Sequence, residues 1–170
     1  MSTMIRIREY EKRDAKANFK YANNPSVARY LFETFPSPYT MEESTWWTSV
    51  GHQELSGIHR AIDLDGECIG SIGITPGELE NRFSWEIGYW IGQPHWRRGY
   101  GSDAVKQMTE YAFKLTNAKR LYAPVLAPNI ASMKTLEKCG FKLEGIHECV
   151  VYRESEGGFM DEHIFARIKP

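Results

Sequence analysis

The fold is decided at Trp96-Arg97-Arg98-Gly99-Tyr100-Gly101-Ser102. An apolar, strand-like run precedes this stretch at residues 85–91, and residues 103–116 after it carry apolar side chains at helical spacing. Two glycines let the backbone approach an anion closely, and the first amides of a helix are donors without partners inside the helix. The helix dipole adds partial positive charge there, and two arginines can add full charges. The stretch therefore predicts a strand, a phosphate-binding loop and a helix in succession.

The loop at residues 96–102 matches neither of the common nucleotide-binding loops. A P-loop would need Gly-Lys-Ser/Thr, and a dinucleotide-binding loop would have three glycines. The loop resembles the acyl-CoA loop of the GNAT N-acetyltransferases, whose signature is Gln/Arg-x-x-Gly-x-Gly/Ala. Trp96 stands where Gln or Arg is most frequent, a departure that is common in the branch of the ribosomal-protein N-terminal acetyltransferases. Taken alone, the loop could also be an ordinary turn with two solvent-facing arginines.

A second stretch, residues 129–141, also resembles this family. It reads Asn129-Ile130-Ala131-Ser132-Met133-Lys134-Thr135-Leu136-Glu137-Lys138-Cys139-Gly140-Phe141. Asn129 is a good helix N-cap, and Gly140 suits the left-handed position that ends a helix. The family has an Asn-x-x-Ser here, opening a helix that ends in Glu-Lys-x-Gly-Phe. Alone the stretch could be a capped core helix, but two motifs in the family order, with one strand at residues 120–126 between them, indicate a GNAT member.

Composition favours one globular domain over residues 1–170. The chain has 170 residues, 42% of them hydrophobic, which is enough for a sizeable core. It has no run of about 18 apolar residues and no signal-peptide core, so we expect a cytoplasmic protein without a membrane partner. Three cysteines at spacings that match no zinc motif predict free thiols and no metal. The net charge of -1 gives no general attraction to nucleic acid.

The pattern of elements predicts the fold class. Strands alternate with helices in the middle of the chain, and hairpins are predicted at both ends, the clearest around Asp65-Gly66. We therefore expect an α/β (α+β) fold with a mixed, twisted, mostly antiparallel sheet and helices on both faces. The early part of the chain predicts a strand at Ile5 and Ile7 and helices at residues 12–23 and 26–32, and the C-terminal part predicts a hairpin with a last strand at residues 163–168. The family resemblance adds a splay between the central strand that ends at Ile91 and the strand at residues 120–126.

The resemblance implies acetyl-CoA as cosubstrate. In the family the pantetheine arm lies in the splay, which here would pair its amides with the backbone of Tyr89, Trp90 and Ile91. The pyrophosphate would bind the loop amides. The cofactor-binding residues implied in this way are Arg97, Arg98, Gly99, Tyr100, Gly101, Ser102 and, against the pantetheine, Asn129.

Acetyl transfer to an amine needs a base for the amine and a proton for the departing thiolate. Glu86 is the candidate base, because it lies on the central strand where the histone-acetylating relatives carry their glutamate. It could instead be a structural carboxylate paired with an arginine such as Arg82. Many relatives protonate the thiolate with a tyrosine at the position of Leu136 in this chain. Ser132 is then the alternative proton donor, unless it only caps its helix.

Aromatic residues early in the chain are the candidates for the acceptor side of the site. Tyr39, Trp46 and Trp47 could form an apolar or cation-π wall for an amine, although at least one of the two tryptophans is expected in the core. The predicted function is acetyl-CoA-dependent N-acetyltransfer to a primary amine by direct attack in a ternary complex, with a protein N-terminal α-amine as the leading acceptor. A polyamine, an amino acid or an aminoglycoside is the alternative, as is a non-catalytic acyl-CoA-binding regulatory domain. Monomer and homodimer both stay open.

Overall fold

A computed structural model describes residues 4–170. Within this part of the chain, seven strands form one sheet in the order β1-β2-β3-β4-β5-β7-β6. The strands are β1 (Arg6–Arg8), β2 (Ile58–Leu64), β3 (Glu67–Pro76), β4 (Ser84–Ile91), β5 (Arg120–Leu126), β6 (Lys142–Arg153) and β7 (Gly158–Ile168). All neighbouring strands are antiparallel except β4 and β5, which are parallel. The mixed, mostly antiparallel sheet predicted from the sequence is confirmed.

Helices cover both faces of this sheet. They are α1 (Ala15–Ala22), α2 (Pro25–Ala28), α3 (Met41–Trp46), α4 (His52–Glu54), α5 (Tyr100–Leu115) and α6 (Ile130–Lys138). Among residues 4–170, none of the helices is both long and apolar enough to cross a membrane.

Consecutive residues of β2 show how the two faces are filled. Ile62 lies in the large core that includes Val105 of α5. Ala61 points the other way, into a smaller cluster with Tyr10 on which Trp47 packs. Because side chains alternate along a strand, this one pair of neighbours places a helical layer on each side of the sheet.

Local signals set most of the element boundaries. Asp65 and Gly66 have φ values of 52° and 91°, the left-handed pair that a two-residue hairpin turn requires, so the predicted hairpin is confirmed. The helix predicted at residues 26–32 is shorter and ends with α2 at Ala28. The last strand is longer than predicted and begins at Gly158, because it pairs with β6 as far as Arg153.

The pairing of β4 with β5 is the feature that positions the site. Only Ser84, Trp85 and Glu86 of β4 pair with β5, at Arg120, Leu121 and Tyr122. Beyond these pairs the two parallel strands diverge, so that the remainder of each strand lines an open gap in the middle of the sheet. The predicted splay is thereby confirmed.

Candidate active site

A loop with unpaired amides lies at one end of the splay. Gly99 has a φ of 84°, a conformation that costs an L side chain strain, and it turns the chain directly into α5. The helix therefore begins at Tyr100, earlier than the start predicted at residue 103. Its first internal bond runs from the amide of Asp103 to the carbonyl of Gly99 at 3.0 Å, and no side chain caps it. The amides of Tyr100, Gly101 and Ser102 are therefore directed outward as donors.

The surroundings of these amides suit a diphosphate. Arg97 and Arg98 are both exposed, and within residues 4–170 neither takes part in an ion pair. A Cβ added at Gly99 would meet nothing within 4 Å, whereas one at Gly101 would lie 3.7 Å from the ring of Tyr89. The loop thus leaves open space on its outer side and contacts the ring of Tyr89 on its inner side. Two exposed arginines precede the amides, and the first turn of α5 also carries the exposed carboxylate of Asp103.

The hydrogen-bonding register of β4 corrects one prediction. The amide of Gly92 donates to Ile69 of β3 at 2.8 Å, and hydrogen-bonded pairs alternate in an antiparallel ladder. Trp90, two residues earlier and paired with Ser71, therefore turns its backbone groups toward β3. The predicted use of the Trp90 backbone by a ligand in the splay is wrong, because those groups are already paired in the ladder.

The same alternation leaves the backbone of Tyr89 and Ile91 facing the splay. The indole Nε1 of Trp96 donates to the carbonyl of Ile91 at 2.6 Å. This bond ties the loop to the end of β4 and occupies one acceptor position of that carbonyl. The amide and carbonyl of Tyr89, and the amide of Ile91, are then the β4 groups best placed to pair with an extended ligand.

Two hydroxyl groups meet on the α6 side of the splay. Tyr89 points toward α6, and its Oη lies 3.0 Å from Oγ of Ser132. The amide of Ser132 donates to Oδ1 of Asn129 at 3.3 Å, so Asn129, and not Ser132, caps α6. Leu136 is fully buried in the core. Burial raises the pKa of Tyr89 to about 12, which keeps the phenol protonated at neutral pH.

Glu86 lies on the opposite face of β4, at the closed end of the splay. The hydroxyl of Tyr122 on β5 donates to its carboxylate at 3.3 Å. Partial burial and the negative charge of Glu162 raise the pKa of Glu86, while the Tyr122 bond acts against the rise. Arg82 instead donates to the carbonyl of Leu79. In the described part of the chain no arginine or lysine forms an ion pair with Glu86, so the alternative of a structural ion pair finds no support.

Open space adjoins Glu86 on this face. A Cβ added at Gly88 would meet nothing within 4 Å, although Gly88 lies in a central strand. Trp90, next on the same face, packs against Phe35 with ring centroids 5.9 Å apart. Glu86, the bare backbone of Gly88 and the indole of Trp90 therefore line one side of a cleft, which we name the acceptor face.

Of the predicted acceptor residues, Tyr39 contacts Phe35, the partner of Trp90, with ring centroids 5.2 Å apart. Tyr39 is buried, and its hydroxyl accepts a bond from Asn18 at 3.4 Å. Trp47 packs against the cluster around Tyr10, and Trp46 is 44% exposed on the surface of α3. Trp47 is the one of the two tryptophans that packs toward the core, with its side chain partly buried. Their role in acceptor binding stays a prediction.

Sequence reasoning missed several residues that the fold brings to the site. The hydroxyls of Tyr89 and Tyr122 and the side chains of Trp90 and Phe35 all line it. Strand alternation predicts that Trp90 shares the face of Glu86, since the two are four residues apart, but not that its indole lines a cleft. Nothing in the local sequence indicates the contacts of Phe35 or Tyr122, because both depend on pairing between distant segments.

The family model described as acetyltransferase (GNAT) domain matches residues 5–142. This is more than half of the chain, and the protein therefore belongs to the GNAT family of acetyltransferases. The resemblance carried by the two motifs is confirmed, and with it the assignment of the chain as an acyltransferase enzyme.

Three curated relatives illustrate the range of this similarity. YoaA of Bacillus subtilis (strain 168), an uncharacterized N-acetyltransferase, is 30% identical over 96% of this chain and 93% of its own. The spermidine N(1)-acetyltransferase of Escherichia coli (strain K12) is 28% identical over 85% of this chain and 77% of its own. YdaF of Bacillus subtilis (strain 168), a candidate ribosomal N-acetyltransferase, is 29% identical over 83% of this chain and 79% of its own.

Among solved structures, the ribosomal-protein α-N-acetyltransferase RimL, determined with coenzyme A, superposes with a TM-score of 0.82. It is 20% identical, and the match covers 98% of this chain and 95% of that one. At this identity the similarity concerns the fold, which is that of the GNAT acetyltransferases.

Proposed function

We propose that this protein transfers the acetyl group of acetyl-CoA to a primary amine by direct attack in a ternary complex. One observation carries the proposal: the gap between β4 and β5 has the unpaired amides of α5 at one end and the half-buried carboxylate of Glu86 at the other. A long ligand with an anionic end and a reactive end fits such an arrangement. Acetyl-CoA supplies the acetyl group as a thioester.

The binding groups follow from the loop and the strand. The amides of Tyr100, Gly101 and Ser102 and the guanidinium groups of Arg97 and Arg98 would hold the diphosphate. The splay-facing backbone of Tyr89 and Ile91 would pair with the pantetheine amides, and the side-chain amide nitrogen of Asn129, whose Oδ1 already accepts from Ser132, would contact the same arm.

The catalytic groups have separate tasks. Glu86 would take the proton that the amine loses when its nitrogen forms the new bond to the acetyl carbon. Its raised pKa suits a base that works near neutral pH. An amide of β4 that faces the splay would donate to the oxyanion. When the carbon–sulfur bond breaks, the hydroxyl of Ser132 would donate a proton to the thiolate and recover one from solvent, while Glu86 releases the proton of the amine to solvent.

The acceptor proposed first is a protein N-terminal α-amine. Its reference pKa is near 8, below that of lysine, so a modest base suffices to deprotonate it. The similarity to YdaF and to the RimL fold supports this acceptor. A polyamine is the second candidate, supported by the similarity to the spermidine acetyltransferase and by the carboxylates of Glu86 and Glu162 on one face.

Acetyl-CoA turnover against a panel of amines tests the proposal. Thiol release would be measured with short peptides that have free N-termini, with spermidine, with amino acids and with an aminoglycoside. We expect release that depends on the amine and is fastest for one class. Tight binding of acetyl-CoA without turnover of any amine would contradict the proposal and favour the non-catalytic, regulatory alternative.

A further inference from the structure

A segment that includes α2 crosses the acceptor face of the splay. We name residues 24–38 the strap. Its two ends are joined where the amide of Tyr39 donates to Oδ1 of Asn23 at 3.2 Å. The side chain of Asn24 donates to Gln93 at 2.7 Å, and Gln93 lies just after β4. The base of the strap is therefore fixed beside the end of β4.

The far end of the strap is fixed on the other side of the splay. Arg29 donates two hydrogen bonds to the carboxylate of Glu156, at 2.8 and 2.9 Å. The guanidinium of Arg153 donates to the carbonyl of Arg29 at 3.2 Å and to the carbonyl of Leu31. We name Arg29, Arg153 and Glu156 the clasp. Arg153 is only 8% exposed, so its bonds to main-chain carbonyls are shielded from water.

The register of the sheet shows that these anchors lie on opposite sides of the gap. The end of β5 pairs with β7, Leu126 with Glu162. The β6–β7 hairpin continues past that point to the pair of Arg153 and Gly158. The strap thus starts at β4, reaches the tip of the hairpin beyond β5, and returns to β4 through Phe35, which packs on Trp90.

The path of the strap bears on how an amine can reach Glu86. Trp90 and Glu86 share one face of β4, so the strap lies over the face from which an amine must approach. Beneath it the space is open at Gly88, where no side chain projects. An acceptor can extend along this space, but a wide group next to the amine would meet the strap. The clasp holds the strap in place from the far side.

We propose that the strap and its clasp restrict the acceptor to a primary amine on a slender, flexible chain and exclude amines attached to a bulky ring directly or through a single methylene. The inference rests on the proposed acetyl transfer and narrows its acceptor. A flexible peptide N-terminus and a polyamine share this chemistry, whereas an aminoglycoside lacks it. Arg153 is then a residue that determines specificity without touching the reacting atoms.

The test compares kcat/KM for spermidine, tetra-alanine with a free N-terminus, and kanamycin in the wild type and in clasp variants. In the wild type we expect the better slender amine to exceed kanamycin by about 100-fold or more. Arg153→Met keeps the length of the side chain and removes its donors, and should narrow this ratio about tenfold, mainly through a lower KM for kanamycin. Glu156→Gln changes the side chain less and should narrow the ratio of the kcat/KM values by a smaller factor.

Two further measurements distinguish the effect of losing the clasp from general damage to the fold. Hydrogen exchange at the amides of residues 29–35 should accelerate in both clasp variants. The matched control is Arg167→Met, which removes a guanidinium that donates to the carbonyl of Cys139 away from the splay. The control should leave both the exchange and the acceptor ratio unchanged.

Each outcome bears on a distinct claim. Faster exchange with an unchanged acceptor ratio would overturn the inference and leave the proposed function intact. If the wild type acetylates kanamycin as well as it acetylates a slender amine, the inference is also overturned and the proposed function also stays intact. If acetyl-CoA binds but no amine is acetylated, the proposed function fails, and the inference fails with it.

Discussion

The two faces of the splay are built in different ways. The α6 side combines the loop before α5 with the first turn of α6, and most of its functional groups come from two contiguous stretches of sequence. The acceptor face joins Phe35, Glu86, Trp90, Tyr122 and the clasp, which come from distant parts of the chain. The first face depends on local backbone geometry, and the second on how strands and loops pair. Substitutions on the two faces should therefore impair the protein in different ways.

The largest effect is expected on the α6 side, from Gly99→Asp. An aspartate there places a negative charge beside the amides that would hold a diphosphate, and an L side chain is strained at a φ of 84°. Loss of two charge-assisted hydrogen bonds corresponds to a loss of CoA affinity of about a thousandfold. Isothermal titration calorimetry with CoA measures it directly.

Gly66→Asp is the matched control for this strain. Gly66 has a φ of 91° and equally open surroundings, but it lies in the β2–β3 hairpin. Both variants should lose similar thermal stability, and only Gly99→Asp should lose CoA affinity. Equal CoA affinity in the two variants would show that the loop is not part of the CoA-binding site.

The next effect belongs to the acceptor face. Glu86→Gln removes the carboxylate but keeps the shape and the partner Tyr122. We expect kcat to fall about 100-fold above the pKa of Glu86, where the wild type is ionised, with CoA affinity unchanged. The acid limb of the pH–rate profile should disappear as well. Glu78→Gln, on an exposed loop nearby, serves as the control. A retained acid limb in Glu86→Gln would assign the base to another group.

A smaller effect is expected from the hydroxyl pair. Ser132→Ala removes the proposed proton donor, and Tyr89→Phe removes its hydrogen-bond partner at 3.0 Å. Each should lower kcat about tenfold, and the double variant should be scarcely worse than either, because groups that act as one unit are not additive. Tyr111→Phe, on α5, is the control. Multiplicative losses in the double variant would mean that the two hydroxyls act independently.

The same contrast explains what the sequence could predict. Sequence could predict the loop amides, Ser132 and the cap at Asn129, because each depends on neighbours a few residues away. Strand alternation predicted the face of Glu86, but it could not tell which edge of β4 bonds to β3. That edge depends on the register with Ser71, and the prediction for the Trp90 backbone failed for this reason.

The contacts made by residues of the acceptor face could not be predicted, for a related reason. Tyr122 reaches Glu86 across 36 positions of sequence, through the short parallel pairing that precedes the splay. Arg153 reaches Arg29 across 124 positions, through a hairpin whose tip extends beyond β5. Periodicity identifies the elements that carry these residues. It contains no information on which elements meet, because that depends on the packing of the whole sheet.

The smallest and most discriminating effect concerns the pKa of Glu86 itself. Tyr122 donates to the carboxylate and so stabilises its ionised form, whereas the negative charge of Glu162 destabilises it. Tyr122→Phe should therefore raise the pKa of Glu86 further and move the acid limb of the pH–rate profile to higher pH. Glu162→Gln should lower that pKa and move the limb to lower pH. Each shift should be about one pH unit or less.

Opposite signs in these two variants are difficult to produce by general damage to the fold, which would lower kcat at every pH. The double variant should return the limb close to its wild-type position, since the two influences oppose each other. Glu162 also lies 3.5 Å from Nδ1 of His147, so Glu162→Gln in a His147→Gln background separates its effect on Glu86 from its effect on that histidine. Shifts of the same sign in both variants would exclude Glu86 as the group that titrates, and would move the search for the base to the other end of the acceptor face.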